Sequence, residues 1–555
     1  MLSAIVLLCV PFFFFELLMA AHYIVALGRC LQHSHRIGIK NASKSIYNAV
    51  WQRFKKIKKT IGATGMDKQK IHGVWSNSWI FILAATGSAV GLGNIWKFPY
   101  MTGENGGGAF VLVYLLCIAL IGLPIMMAEV LLGRRGRMSP ISSMQYLTRE
   151  AGLHGAWTSI GWMGVLAGLF IMSFYSVVAG WALYYVFATG AGNFAGATAE
   201  SVNNIWGSLL GDKTTLTAWH SLFTFLTGAV VAAGVTKGLG AVARYMMPFL
   251  ILALFVLLGY GIVEGNFAAG VEFLFNPDFS RLVYKYVEID SSGQTIACSG
   301  AVSDCIRQVT YEPTLKALGH AFFTLSLGMG AIMAYGAYMP EHSNVAKTVV
   351  TIGLLDTVIA LIAGMAIFSI VFANPGLSPG SGPGLMFQSL PIAFGNMPFG
   401  QIFGTLFFLL VSVAAWSSAV SLIEPGVAWL VEKKNFGRIS ASVVLSGAAW
   451  TTGILAMLSF NVLADWTPVF LVGKNPFDFL DFITSQVMLP LGGLFIAIFV
   501  GWKMSKAIVA SEMDAEGHPL FDIWIFVLRY ISPVLVAAVF VFALYETVVK
   551  FLSAL

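Results

Sequence analysis

Apolar residues run along this chain in long unbroken stretches, and the polar residues crowd into the segments between them. At about 1.5 Å per residue, a helix needs about 20 apolar residues to cross the hydrocarbon of a bilayer. Beyond residue 65 the pattern predicts eleven such helices, near 78–101, 108–132, 157–187, 217–236, 242–262, 313–339, 346–372, 399–431, 438–458, 477–502 and 522–549. A membrane β-barrel would instead show segments of about ten residues in which apolar and polar positions alternate. The pattern therefore predicts an all-α polytopic membrane protein.

Composition narrows the class. Of 555 residues, 57% are apolar in type and 10% are Asp, Glu, Lys or Arg, against roughly 25% charged in a soluble domain. So little charge cannot solvate a water-facing surface, which excludes a string of cytosolic domains. The net charge of +6 comes from 32 basic and 26 acidic residues. The basic ones lie mostly in short links: Arg134-Arg135-Gly136-Arg137, Lys237 to Arg244, Glu341 to Lys347, Glu432 to Arg438 and Lys503 to Lys506. These links fall on alternate sides of successive spans, so by the positive-inside rule they are cytoplasmic and the span from 78 starts inside. The expected setting is the cell (inner) membrane, crossed many times, with the lipid bilayer as partner. No nucleic acid is expected, because no basic face interleaved with aromatics accompanies the charge.

The opposite links, 188–216, 263–312, 373–398 and 459–476, are longer and richer in Gly, Pro and Asn. Cys298 and Cys305 share one of them, outside, where they either form a disulfide or stay free. Cys9, Cys30 and Cys117 read as packing residues, and the scattered histidines form no metal spacing. Residues 1–65 stand apart. Leu2 to Leu27 is apolar enough to span but holds Pro11 and Glu16, and Arg53 to Lys59 is basic. This N-terminal extension is either an extra outside-to-inside helix or sequence upstream of a start at Met66.

Two of the spans are interrupted. Gly87-Ser88-Ala89-Val90-Gly91-Leu92-Gly93-Asn94 sets three glycines and an Asn in mid-membrane, and Phe322-Phe323-Thr324-Leu325-Ser326-Leu327-Gly328-Met329-Gly330 repeats the theme in the sixth span. Free peptide groups at that depth are tolerated only where they line a cavity or bind something. Close packing through small residues would explain either segment alone. Breaks at matching positions of two five-span halves instead point to an inverted-repeat secondary transporter, with half-helix ends facing charged cargo.

The run Gly-Ser-Ala-Val-Gly-Leu-Gly-Asn-Ile-Trp-Lys-Phe-Pro-Tyr at 87–100, with Glu-Asn-Gly-Gly-Gly-Ala-Phe at 104–110, closely resembles the neurotransmitter:sodium symporter family in its prokaryotic form. The likeness continues through the sixth, seventh and eighth spans. It implies a LeuT-type 5+5 inverted repeat with eleven core transmembrane helices, spans one and six unwound at mid-membrane. The transmembrane domain would cover 66–555, with repeat one at about 77–262, repeat two at about 313–502 and an additional helix at about 522–549.

The resemblance also implies ligands. A first Na⁺ would be held by Ala89, Asn94, Thr324 and Asp356, all hard oxygen donors, and a second by Gly87, Val90, Ala414, Ser417 and Ser418, so that one or two ions are co-transported. Ser421 shares a helix face with Ser417 and Ser418 but reads as packing. Asp356 stands where many relatives have Asn, and Ala360 where chloride-dependent relatives have a chloride-binding serine. Asp356 would then supply the missing negative charge, which predicts chloride-independent transport. The other reading of Asp356 is a protonated side chain bonded to a neighbouring helix.

The substrate carboxylate would meet the peptide groups of Ala89, Gly91 and Gly93 and the hydroxyl of Tyr175. The amine would meet carbonyls of Ala89, Phe323 and Thr324 and the hydroxyl of Ser326. Ile171, Phe323, Met329, Ser418 and Leu422 would form the side-chain pocket, apart from Ser418 apolar throughout. Gly91 stands where monoamine carriers keep an Asp, which leaves room for the carboxylate of an α-amino acid. The cargo implied is a neutral, hydrophobic or aromatic L-amino acid. Lys97 and Asp481 match the outer gate, with lysine in place of arginine. Trp75, Tyr338 and Glu432 match the inner one, where the usual N-terminal arginine is missing and Lys70 or His72 stands nearby. Glu129 matches a carboxylate that supports the broken sixth helix.

The rival reading on the same fold is an amino-acid sensor or uncoupled channel. No Ser/His/Asp order, metal cluster or phosphate loop points to an enzyme, and Asp356 and Glu129 form no evident acid/base pair.

Overall fold

The computed structural model describes residues 73–289, 295–297, 306–377, 379 and 384–553. The expectations for residues 1–65, Lys70, His72 and the Cys298–Cys305 pair lie outside the described residues. Among those described, nine helical stretches are long and apolar enough to cross a membrane, and Ser78–Ala89 with Gly93–Glu104, bent by 49°, makes a tenth. The eleventh is Glu312–Thr324 followed by Ala331–Ala337, each half too short to span alone. Predicted spans and observed helices agree throughout, the ends differing by a few residues. Large apolar side chains such as Phe225, Leu252 and Val443 are exposed on the flanks, as a lipid-facing surface requires.

The two longest helices, Ser159–Gly190 in the third span and Gly400–Lys434 in the eighth, pack along one another. The inner half of the sixth span lies against the second, Gly108–Gly136, and the seventh, Val345–Phe372, packs on the first. Local sequence sets several ends. Asn77 caps the first helix by accepting from the Ile80 amide at 2.9 Å, and Asn344 caps the seventh by accepting from Lys347 at 2.8 Å. Such caps satisfy amides that have no partner in the first turn.

The outer link between the fifth and sixth spans holds a structure the apolar pattern did not announce. Strand β1 (Tyr284–Ile289) pairs antiparallel with β2 (Thr295–Ala297) and β3 (Ile306–Val309), in the order β2-β1-β3. Tyr284 faces Val309 across the ladder, and the Arg307 guanidinium lies 4.1 Å above the Tyr284 ring. Tyr-Lys-Tyr-Val-Glu-Ile is rich in aromatic and β-branched residues, a strand signal too short to register beside runs of twenty. The all-α description holds for the membrane-embedded part.

In the sixth span the chain leaves helical geometry at Ser326, Gly328 and Gly330, with φ of 55°, 74° and 73°. A Cβ at Gly328 would stand 2.6 Å from the Leu489 carbonyl oxygen of the tenth span. Left-handed backbone and that close approach both require glycine. Gly328→Ala is accordingly expected to destabilise the fold by about 1–3 kcal/mol, read as a lowered thermal unfolding midpoint of the purified protein. An unchanged midpoint would show that the break relaxes freely.

Candidate functional site

The two breaks meet half-way along their helices. The Ser326 hydroxyl donates to the Ser88 carbonyl at 2.8 Å, and Ser418 of the eighth span donates to the same oxygen at 3.1 Å. Tyr175 of the third span accepts from the Leu92 amide at 3.2 Å. Around these bonds lies a cavity of about 20 Å³, lined by Ser88, Ala89, Gly91, Gly93, Ile171, Tyr175, Phe323, Ser326, Met329, Ser418 and Leu422. Every residue expected at a substrate lines it except Thr324, which turns its hydroxyl away toward Asp356. The volume suits about one water, so anything larger requires the walls to part. A side chain at Gly91 would strike the Ser418 hydroxyl and stand 2.8 Å from that of Tyr175.

Behind the cavity, Asn94 donates its amide to the Asp356 carboxylate at 2.8 Å and to the Asp356 carbonyl at 3.1 Å. The Thr324 hydroxyl lies 3.3 Å from the same carboxylate, and Gly91 N–H donates to the Asn94 side-chain oxygen at 3.3 Å. Asp356, Asn94 and Thr324 are all 0% exposed. Among the described residues no basic side chain pairs with Asp356. The fourth member expected with them, Ala89, ends the first half-helix beside the cavity.

A second group of oxygens joins the first and eighth spans. Ser418 Oγ lies 3.3 Å from the Gly87 carbonyl and 3.5 Å from that of Val90, while Ser417 donates to the Ala414 carbonyl at 2.9 Å. Ser421, expected to be packing, does more: it accepts from the Ser88 hydroxyl at 2.7 Å and donates to the Ser418 carbonyl at 2.7 Å.

On the outer side Lys97 and Asp481 line one cavity of about 540 Å³. In this conformation they are not paired. The Lys97 ammonium sits 4.4 Å above the Phe323 ring, and Asp481 accepts from Ser485 at 2.9 Å. Phe323, which also lines the small cavity, thus stands between the two spaces.

On the inner side Trp75 donates its amide to the Tyr338 carbonyl at 3.1 Å and packs edge-on against the rings of Tyr335 and Tyr338. Glu432 accepts from the Ser139 amide and hydroxyl at 2.6 and 2.5 Å, at the start of helix Pro140–Glu150. The Tyr338 hydroxyl donates to Glu424 at 2.7 Å, and Glu424 pairs with Arg438 at 2.5 Å. Glu424 and Arg438 were not among the expected residues. An acidic residue in an apolar span is itself a functional signal, and Leu-Ile-Glu-Pro-Gly at 422–426 carries it. Ser88 was missed as well, although it lies inside the glycine-rich motif.

Known proteins give this geometry its context. A family model described as "Sodium:neurotransmitter symporter family" matches residues 72–208 and 313–553. An uncharacterized sodium-dependent transporter, YhdH of Bacillus subtilis, is 36% identical over 469 residues, 84% of this chain and 96% of its own. The chain belongs to the sodium:neurotransmitter symporter family. A Haemophilus influenzae sodium-dependent transporter is 30% identical, over 84% of this chain and 97% of its own. The human sodium- and chloride-dependent GABA transporter 2 is 24% identical, over 85% and 80%. Among solved structures, the crystal structure of MhsT in complex with L-phenylalanine superposes with a TM-score of 0.73 at 41% identity, covering 85% of this chain and all of that one.

The symporter fold explains the buried Glu129 of the second span. Its carboxylate accepts from the Gly328 amide at 3.1 Å through one oxygen, and the other oxygen is buried without a hydrogen-bond partner. Glu129→Ala would leave the Gly328 amide without this acceptor, at about 1–3 kcal/mol for an amide left buried. We expect faster hydrogen exchange at 328–333 in Glu129→Ala than in Glu129→Gln, which keeps an acceptor. Equal protection in both variants would remove Glu129 from this role.

Proposed function

We propose that this protein imports a neutral, hydrophobic or aromatic L-amino acid together with one or two Na⁺ ions by alternating access, without chloride. The observation that carries the reading is the convergence of both helix breaks on one cavity, with Asp356, Asn94 and Thr324 on one side and the Gly87 and Val90 carbonyls with Ser418 on another. The L-phenylalanine complex of MhsT supports the choice of cargo.

The chemistry follows from the groups present. The Tyr175 hydroxyl, which accepts from Leu92, keeps its own proton to donate to a substrate carboxylate. The tight surroundings of Gly91 leave no place for a side-chain acid, so the carboxylate comes with the cargo. Ile171, Phe323, Met329 and Leu422 then offer apolar walls, and thioether flexibility at Met329 lets them fit more than one shape. Ala89, Asn94, Thr324 and Asp356 would hold the first Na⁺; Gly87, Val90, Ala414, Ser417 and Ser418 would hold the second. An ionised Asp356 in that dry place is stabilised only by a cation, and Ala360 beside it on the same helix offers no hydroxyl to an anion.

Closure is assigned on the same basis. Lys97 and Asp481 flank the outer entrance, with Phe323 as lid. Trp75 and Tyr338 close the inner side, with Glu424 and Arg438 joining the expected Glu432. Sodium acts by binding one of the two conformations better, which is the only way a ligand shifts such an equilibrium.

In proteoliposomes, an inward sodium gradient is expected to accumulate a hydrophobic or aromatic amino acid above its external concentration, with gluconate replacing chloride at no loss. Binding without accumulation would instead mark a sensor, and leak without accumulation a channel. Uptake that disappears in gluconate refutes chloride independence. Asp356→Asn is expected to weaken sodium activation by about tenfold or more, as loss of a charge-assisted contact implies. Wild-type sodium dependence of that variant in chloride-free buffer would defeat the charge-compensation argument.

A further inference from the structure

The last span carries a cation in an otherwise apolar run. Arg529 lies in Val-Leu-Arg-Tyr-Ile at 527–531, where the helix widens into a π turn, and the tenth span has its own π turn at Phe499–Lys503. The two turns are joined by a reciprocal pair of bonds. Arg529 Nε donates to the Gly501 carbonyl, and the Trp502 indole N–H donates to the Arg529 carbonyl at 3.1 Å. Such turns displace the regular helix ladder and recur at functional sites.

The surroundings face lipid. Trp502, Tyr530 and Phe526 are 55%, 48% and 54% exposed, and Tyr530 packs against both other rings, at 5.4 and 5.2 Å. The indole bond fixes the level of Arg529 at Trp502, one residue before Lys503 and the basic link that the charge pattern places in the cytoplasm. Trp and Tyr gather at that headgroup boundary.

Several cations near this end have carboxylates: Arg134 pairs with Glu512 at 3.3 Å, Arg135 with Glu150 at 2.6 Å, and Lys506 with Asp522 at 2.6 Å, while Arg137 bonds to the Ala337 and Met339 carbonyls. Among the described residues Arg529 has none. One of its five N–H donors is used by Gly501, and the half-buried side chain lies next to the exposed Tyr530 in sequence, in a span where an unpaired charge is costly.

We propose that Arg529, framed by Trp502 and Tyr530, binds the phosphate of an anionic phospholipid of the cytoplasmic leaflet. The planar guanidinium fork matches two phosphate oxygens, and the exposed Phe526 and Tyr530 rings lie where the glycerol and upper acyl chain would pass. The acidic residue of the same helix, Asp522, is held by Lys506 rather than left for an ammonium headgroup. The inference is independent of the cargo assigned above.

The test uses the full chain extracted from nanodiscs of equal phosphatidylglycerol and phosphatidylcholine, with retained lipids counted by native mass spectrometry. Wild type is expected to keep at least one phosphatidylglycerol with about tenfold preference, the scale of one charge-assisted hydrogen-bonded pair. Arg529→Gln should lose that preference, and Arg529→Lys should keep only part of it. Unchanged preference in Arg529→Gln, equal retention of both lipids by wild type, or displacement of the lipid by excess inorganic phosphate each overturns the proposal. The last would mark a small-anion site. Should Arg529→Gln fail to fold, Trp502→Phe decides: it keeps the ring and the arginine but removes the indole donor. A severalfold drop in preference supports the site and wild-type preference overturns it.

Discussion

Peptide groups in the middle of a bilayer have no water to bond, so a helix can unwind there only if something else answers each exposed N–H and C=O. Both halves of this protein contain such an unwinding, and the structure shows what answers. Leu92 N–H meets Tyr175, Gly91 N–H meets Asn94, Ser88 C=O meets Ser326 and Ser418, and Gly328 N–H meets Glu129. Each group left alone would cost about 1–3 kcal/mol. Most of the side chains that satisfy the backbone also wall the small cavity or neighbour it. Groups placed to satisfy peptide dipoles are also groups that a zwitterion or a small cation can engage, which is why the site and the breaks coincide.

Charge is handled in two different ways within the same bundle. Glu424 is 0% exposed yet bonded to both Tyr338 and Arg438, so its negative charge is balanced inside the protein. Asp356 is equally buried but has only the amide of Asn94 and the hydroxyl of Thr324. A neutral shell lowers the cost of a carboxylate without cancelling it. Under the proposed cycle that difference separates a fixed closure from a place a mobile cation fills.

The spans were readable because twenty apolar residues in a row have few physical alternatives, and the breaks because paired glycines and hydroxyls are a poor way to build a continuous helix. The joining of Ala89, Tyr175, Phe323 and Ser418 was readable only through the resemblance; nothing in the spacing brings residues hundreds of positions apart onto one void. Pairings that depend on a single rotamer stayed hidden. Lys97 lies over Phe323 rather than against Asp481, and Tyr338 reaches the unexpected Glu424, because several partners lie within reach of each long side chain and packing selects among them. The sheet between the fifth and sixth spans stayed hidden for a different reason, since six residues rich in aromatic and β-branched types carry little signal beside hydrophobic runs of twenty.

The two closures differ in strength, and the difference bears on direction. Under the proposed assignment the inner one holds an Arg–Glu pair in which Glu424 is fully buried and Arg438 partly exposed, with a tyrosine hydroxyl and an indole packed beside it. The outer one offers a lysine, which cannot make the two-pronged contact of an arginine, and here that lysine rests on an aromatic face beside a cavity of about 540 Å³. An empty carrier built this way is held more firmly on its inner side than on its outer side. Cargo and sodium would therefore arrive from outside without breaking a strong contact, and filling of the Asp356 cluster would have to supply the free energy that loosens Arg438 from Glu424. Coupling in that scheme needs no wire between the sites, only two conformations of one bundle in which a buried charge is balanced differently.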